Sequence, residues 1–141
     1  MKPTSGMLAL LGLEIVEVNP DLFVASWVIN EGHLASSGRP HNGVYSSIHE
    51  TAASFAGQLW LGRRGVIVGV NNSTDVVRMA HLGDEITCTG VPVFRNDREQ
   101  LWDMNSVGTS GELIATGRVR LQNLDKPPPE NYEALMSGHD E

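Results

Sequence analysis

The longest periodic segment of the chain covers residues 44–61 and predicts a helix. Apolar side chains recur there at the spacing of one helical face, at Val44, Ile48, Ala52, Phe55, Ala56 and Leu59. The other positions are mostly Ser, Thr, Ala and Gly with scarcely any charge, whereas a helix at the surface of a domain carries a charged face. We therefore expect this helix to be largely enclosed by protein.

Strand-like runs lie on both sides of the helix. Residues 11–18 and 22–28 flank the turn signal Asn19-Pro20-Asp21 and predict a hairpin. Four more runs follow the helix, and turn residues join the last three into an antiparallel meander: 66–72, 84–94, 100–108 and 113–124. Hairpin, helix and meander together predict an α+β domain, with an antiparallel sheet wrapped around one long central helix.

Two segments lack a regular pattern. Residues 29–43 are rich in Gly, Ser, His and Asn, and a long loop within a small domain is more often functional than not. Residues 125–141 contain three consecutive prolines and many polar side chains, so we expect a mostly disordered tail. The remainder, residues 1–124, has the size of one domain.

Composition narrows the class of protein. Ten Lys and Arg against seventeen Asp and Glu give a net charge of −7, which argues against a nucleic-acid partner. No apolar stretch approaches the length of a membrane span, so we expect a soluble, cytoplasmic protein with no membrane partner. The single cysteine, Cys88, lies in a strand-like run and is expected to be a small buried hydrophobe.

Glu50 is the first candidate for chemistry. It lies in the middle of the nearly uncharged helix, where a carboxylate is costly to desolvate unless it has partners or a function. Ser46 and Ser47 lie one turn before it and Ser54 one turn after, and small hydroxyls leave room for a ligand while offering hydrogen bonds. The alternative is a glutamate that reaches solvent at a sheet edge.

The start of the helix is the second candidate. The turn Pro40-His41-Asn42-Gly43 precedes free backbone N–H groups at the positive end of the helix dipole, which favours an anion or oxyanion. The alternative is a plain helix cap, since Asn and Gly are also common there. Eight residues separate Asn42 from Glu50. Both can address one substrate only if it lies along that face of the helix.

Metal and serine-hydrolase chemistry are disfavoured. His33, His41 and His49 cluster near the helix start but lack metal-ligand spacing, and His49 points away from the face of its neighbour Glu50, so no metal site is expected. Residues 36–38 do not form the Gly-x-Ser-x-Gly elbow of serine hydrolases.

The segment His41-Asn42-Gly43, followed by Glu50 and Ser54, resembles the signature of hotdog-fold thioesterases. The resemblance is to the branch that includes 4-hydroxybenzoyl-CoA and phenylacetate-pathway thioesterases, and it covers roughly residues 8–124. It implies the hotdog fold and hydrolysis of an acyl-CoA or aryl-CoA thioester to the free acid and CoA, without a metal or redox cofactor.

The resemblance also assigns roles. Glu50 would be the nucleophile or the general base, the backbone N–H of Asn42 at the Asn42-Gly43 turn would hold the oxyanion, and His41 would orient the substrate or the loop. Ser54 would place the hydrolytic water or hold Glu50. Cations for the CoA phosphates would come from Arg78, Arg95 and Arg98.

The sequence departs from the thioesterase signature at two places, and these departures leave other functions open. Asn42 stands where the family usually has Gly, and residues 35–37 are Ala-Ser-Ser where many relatives carry a Gln that touches the thioester carbonyl. A non-catalytic acyl-CoA-binding protein is therefore an alternative, and a hotdog dehydratase is a less favoured one. Because such a thin domain tends to pair through its strand edges, a homodimer is expected, with a dimer of dimers as a further option.

Overall fold

The computed structural model describes residues 1–137. Its helices are α1 (Gly6–Leu11), α2 (Asn42–Leu61) and α3 (Tyr132–Met136). Its strands are β1 (Glu14–Asn19), β2 (Leu22–Val28), β3 (Val66–Val76), β4 (Glu85–Arg95), β5 (Glu99–Val107) and β6 (Leu113–Leu124). Short 3-10 turns lie at Glu31–His33 and Gly62–Arg64.

The six strands form one antiparallel sheet in the order β1-β2-β4-β5-β6-β3, and α2 packs against its inner face. This confirms the predicted hotdog arrangement, including the hairpin and the meander. Alternate residues of the strands point towards the helix, as Phe23, Ala25 and Trp27 of β2 do, and they form the core with the buried face of α2.

A glycine in α2 allows the helix to approach the sheet closely. A Cβ atom at Gly57 would overlap the Leu121 side chain of β6 and lie 2.9 Å from Gln100 Oε1 of β5. The Gln100 side chain instead donates through Nε2 to the carbonyl of Gly57 at 3.1 Å. Because no side chain fits at this position, the central part of α2 lies directly on the sheet.

The structure differs from the sequence expectations at both termini. Residue 11 belongs to α1 and not to a strand, because Gly12 adopts a φ of 74° that ends the helix and lets β1 begin at Glu14. In the segment expected to be disordered, residues 132–136 form α3. Its Tyr132 is only 8% exposed, and residues 138–141 of that segment lie outside the described part.

Two expectations from composition can be compared with the structure. Cys88 is fully buried, as predicted, and burial raises the pKa of its thiol to about 12. None of the helices within residues 1–137 is long and apolar enough to cross a membrane.

Candidate active site

Glu50 lies halfway along α2, and its side chain is exposed in the single chain. Its expected desolvation is therefore not observed; the carboxylate instead reaches the surface beside the edge strand β3. Asn72 Nδ2 donates to Glu50 Oε1 at 3.4 Å, and also to the carbonyl of Ser46 at 2.8 Å. A Cβ atom at Gly69 would lie 3.2 Å from the carboxylate, so this glycine leaves room for the Glu50 side chain beside the strand.

The Glu50 carboxylate opens into a cleft of about 690 Å³, which we call the Glu50 cleft. This volume lies within the usual range for small-molecule sites. Ser46, Ser47 and Ser54 all line the cleft, as their spacing on the helix predicted. The lining residues are Met7, Ser46, Ser47, Glu50, Thr51, Ser54, Phe55, Gln58, Ile67, Asn72 and Met136.

The start of α2 leaves one backbone N–H free. His41 is the N-cap, and its Nδ1 accepts from the N–H of Gly43 at 2.8 Å. The N–H of Val44 donates to the carbonyl of His41 at 3.0 Å. Within residues 1–137, the N–H of Asn42 has no hydrogen-bond partner, so it is the donor that remains available to an oxyanion. The glycine at 43 is required because a Cβ atom there would lie 2.8 Å from His41 Nδ1.

A second cleft of about 640 Å³ lies at this end of α2, and we call it the His41 cleft. Arg39 and Arg78 line it, are both exposed, and take part in no ion pair within the described residues. The full lining set is Ala35, Ser37, Arg39, Pro40, His41, Asn42, Tyr45, Val76, Val77, Arg78, Met79 and Ala80.

The predicted site residues are therefore split between two clefts that share no lining residue. His41, Asn42 and Arg78 belong to one cleft, and Glu50 and Ser54 to the other. Eight residues of helix separate Asn42 from Glu50, a rise of ~12 Å. An oxyanion donor and a nucleophile or base that act on one carbonyl must each approach to about 3 Å. Within one chain, these two groups do not reach the same carbonyl.

The three arginines assigned to CoA phosphates do not come together either. Arg95 Nη2 pairs with Asp21 at 2.8 Å and Nη1 donates to the carbonyl of Pro20 at 2.7 Å, while the guanidinium stacks 4.9 Å from the Trp60 ring. That places Arg95 at the opposite end of α2 from Arg78, with its charge already paired. Arg98 lies exposed in the turn between β4 and β5.

The sequence did not reveal what the buried His49 contacts. Its side chain points away from Glu50, as predicted, and is fully buried between α2 and the sheet. His49 Nε2 lies 2.8 Å from Ser106 Oγ of β5, and Nδ1 lies 3.3 Å from Thr74 Oγ1 of β3. Burial lowers the pKa of His49 to about 4, so the ring is neutral near pH 7.

These contacts continue to Glu50 with a defined direction. Thr74 Oγ1 donates to Asn72 Oδ1 at 2.8 Å, so its oxygen accepts from His49 Nδ1–H and the neutral histidine carries its proton on Nδ1. His49 Nε2 then accepts from the Ser106 hydroxyl. The orientation of the Asn72 amide is fixed by the Ser46 carbonyl, which can only accept, so the NH2 group of Asn72 faces Glu50.

No group of three or more potential metal ligands occurs among His, Cys, Asp and Glu of the described chain. The chemistry that this arrangement offers is that of a carboxylate, a backbone donor and several hydroxyls. A carboxylate and a free N–H donor suit acyl transfer where both reach one carbonyl, whose oxygen becomes negatively charged.

Comparisons with known proteins place the chain in a family. The family model described as the Thioesterase superfamily matches residues 38–105. A candidate esterase of Mycobacterium tuberculosis, Rv1847, is 39% identical over 121 residues, which are 84% of this chain and 86% of that protein. The chain therefore belongs to the thioesterase superfamily.

Solved structures agree on the fold. The crystal structure of AziG from S. sahachiroi superposes with a TM-score of 0.84 at 39% identity, covering 86% of this chain and 98% of AziG. A hypothetical thioesterase from Streptococcus pneumoniae, solved with coenzyme A, gives a TM-score of 0.74 at 16% identity and covers 82% of this chain and 88% of that one. The second likeness concerns the fold alone.

Proposed function

We propose that the protein hydrolyses an acyl-CoA thioester to the free acid and CoA at a site shared by two subunits. Glu50 of one subunit and the backbone N–H of Asn42 of the partner subunit would face the same thioester carbonyl. The observation that carries the proposal is the Asn42 N–H, which the His41 cap leaves without a hydrogen-bond partner among residues 1–137. Membership of the thioesterase superfamily supports the reaction class.

The edge strand β3 supports the shared site. It pairs with β6 on one side only, and its exposed Val68 and Val70 lie on a strand whose other edge meets no strand within residues 1–137. Unpaired edges favour pairing with another chain. A two-fold axis at this edge runs both copies of β3 antiparallel, and likewise both copies of α2 packed on them. Since Glu50 lies beside β3, such pairing brings it towards the helix start of the partner.

The proposed reaction needs no metal or redox cofactor. As a general base, Glu50 takes a proton from water, whose oxygen attacks the thioester carbon while the Asn42 N–H of the partner holds the oxyanion. Collapse of the tetrahedral intermediate breaks the C–S bond, and the departing CoA sulfur receives the proton. As a nucleophile, Glu50 would attack the carbon directly and expel CoA as the thiolate. Water would then cleave the resulting anhydride, which releases the acid, restores the Glu50 carboxylate and supplies the proton that the thiolate takes up. Ser54, one turn further along α2, would position the water in either route.

The phosphates of CoA need cations, which this acidic chain offers only locally. Arg39 and Arg78 in the His41 cleft carry unpaired charges beside the proposed oxyanion donor and are the preferred ligands. Arg98 is a further candidate because it is exposed and forms no ion pair in the described chain. The S. pneumoniae structure with bound coenzyme A supports CoA as a ligand of this fold.

The test is replacement of the carboxylate. Glu50→Gln keeps the shape of the side chain but removes the base or nucleophile, so turnover should fall by at least about 100-fold. Release of CoA thiol, followed with a thiol-reactive dye over aryl and alkyl acyl-CoAs, measures this. Glu17→Gln, an exposed glutamate on β1 outside both clefts, is the matched control and should hydrolyse normally.

A folded Glu50→Gln protein with normal turnover would refute the assignment of Glu50. The non-catalytic alternative has its own signature, because Asn42 and residues 35–37 depart from the family pattern. A wild-type protein that binds acyl-CoA in a calorimeter but releases no thiol from any of them would establish that alternative.

A further inference from the structure

We propose that the acyl group of the substrate occupies the Glu50 cleft and that Met7 of α1 and Met136 of α3 form its far end, which makes the protein selective for uncharged, medium-length acyl chains. This inference rests on the proposed function, since it assumes that the thioester carbonyl lies at Glu50. It assigns a role to the two terminal helices, each of which contributes one methionine to the lining of the cleft.

The lining of the cleft changes from polar to apolar along α2. Around the carboxylate are hydroxyl and amide groups from Ser46, Ser47 and Asn72. After Thr51 and Ser54, the helix contributes Phe55 and Gln58, and the apolar side chains of Ile67 and of the two methionines line the cleft from other elements. A thioester carbonyl needs polar partners, whereas the alkyl tail of a fatty acyl group does not. This gradient therefore orients the acyl group with its tail towards the methionines.

The polar atoms of Gln58 do not interrupt the apolar end. Its Nε2 donates to the carbonyls of Gly62 and Gly65 at 3.2 and 3.0 Å, and its Oε1 accepts from the N–H of Ile67 at 3.0 Å. Both the amide nitrogen and the amide oxygen are therefore occupied by backbone. What Gln58 leaves to a ligand is mainly its aliphatic stem.

Charge excludes one class of acyl group. None of the described residues that line the Glu50 cleft is Lys, Arg or His, and its single charged side chain is the carboxylate of Glu50. An acyl chain that ends in a carboxylate would find no cation there and would be repelled by Glu50. Desolvating such an unpaired charge costs more free energy than desolvating a neutral polar group.

The length of the Glu50 cleft limits the length of the acyl group that it can hold. From Glu50 to Gln58 the helix rises ~12 Å, which is close to the extended length of an octanoyl or decanoyl group. The thioethers of Met7 and Met136 also line the cleft. Methionine is flexible and fills irregular apolar gaps, so these two side chains can contact the end of a chain without fixing one exact length.

Contacts with the rest of the domain hold both terminal helices in place. In α3, Glu133 forms an ion pair with Arg63, whose guanidinium also stacks 5.1 Å from the ring of the buried Tyr132. Met136 itself is half-buried and packs against the core. In α1, Leu11 is 6% exposed, and its carbonyl lies 3.0 Å from His33 Nε2.

The experiment measures kcat/KM for straight-chain acyl-CoAs from acetyl to palmitoyl, with succinyl-CoA added as the charged probe. Met7→Trp and Met136→Trp fill the far end, so the preferred chain should become shorter, and decanoyl-CoA should lose at least about tenfold, the scale of one or more excluded methylenes. Butyryl-CoA should be hydrolysed as before. Met136→Ala should move the preference to longer chains.

Matched controls place the same tryptophan on the same helices outside the cleft. Leu10→Trp on α1 replaces a side chain that is 80% exposed, and Ser137→Trp follows directly on α3. Both should keep the wild-type chain-length profile. The inference is overturned if the methionine variants share the profile of these controls, or if succinyl-CoA is the best substrate of the wild type. Failure of the wild type to hydrolyse any acyl-CoA would instead overturn the proposed function, and this inference with it.

Discussion

Asn42 shows how the backbone can carry a function that a side-chain comparison puts in doubt. The family usually has glycine at this position, which raises the question whether a special backbone conformation is needed. The described chain contains no non-glycine residue with positive φ, so Asn42 starts α2 with ordinary helical geometry. Because His41 caps Gly43, the N–H of Asn42 stays free. A side chain at this position therefore leaves the donor intact.

This geometry predicts opposite results for two substitutions of Asn42. Asn42→Gly keeps the N–H, so activity should hold or rise. Asn42→Pro deletes the N–H and should lower kcat by about 100-fold to 1,000-fold, the loss that follows removal of one oxyanion donor. Proline suits the first position of a helix, and His41 has the extended backbone (φ −66°, ψ 131°) that a following proline requires.

Circular dichroism of both Asn42 variants should match the wild type before the rates are compared. If a folded Asn42→Gly protein is inactive, the side-chain amide makes the contact and the oxyanion site has been placed wrongly.

The residues of the site were accessible to sequence reasoning to different degrees. Glu50 and the N–H of Asn42 could be predicted as candidates from the local sequence, because helical spacing and helix capping depend on residues that are neighbours in the chain. Their separation into two clefts could not be predicted, since a count of residues gives a distance along the helix but does not show which other elements lie beside the helix. The link from His49 through Thr74 to Asn72 depends on strand register and was not predicted.

At the scale of elements, α2 was predicted well because its apolar spacing extends over five turns and its core contacts come from the same face. The terminal helices were missed. At six and five residues, α1 and α3 are too short to be stable by propensity alone. They depend on tertiary contacts, such as that of Arg63 with Glu133, which no local pattern contains.

His49 joins α2 to two strands, and this junction makes stability depend on pH. Its pKa is about 4 in the folded chain against an ordinary value of 6.5, so below pH 6.5 the unfolded chain takes up a proton that the folded chain does not. Stability is therefore lost as pH falls from 6.5 towards 4. Between pH 7 and pH 4.5 this one group should cost about 2–3 kcal/mol.

Urea unfolding at both pH values measures the effect, and His49→Gln isolates it. The variant should be less stable at pH 7, because it loses hydrogen bonds to Ser106 and Thr74, but its stability should fall less on acidification. An equal acid-induced loss in both proteins would mean that His49 is not the group responsible.

At the scale of the whole molecule, the single chain contains both groups of the proposed site but does not bring them together. Glu50 is solvent-exposed beside β3, whose outer edge is unpaired within residues 1–137, and the proposed oxyanion donor lies ~12 Å away in another cleft. An exposed catalytic carboxylate is poorly placed to exclude water or to feel a low dielectric. Closing the β3 edge with a second copy is the arrangement that would cover the Glu50 cleft and supply the missing donor.

A mixture of two inactive variants tests this arrangement. If the site is shared, a dimer of one Glu50→Gln subunit and one Asn42→Pro subunit contains one doubly damaged site and one intact site, formed by the wild-type Glu50 of the second subunit and the wild-type Asn42 of the first. Unfolding and refolding the variants together in equal amounts should then give about a quarter of wild-type activity, since half of the dimers are mixed and each has one of two sites. Each variant refolded alone should remain inactive, and light scattering should show a dimer throughout. If each site lies within one chain, no mixture regains activity, so a refolded dimeric mixture as inactive as its components would rule out the shared site.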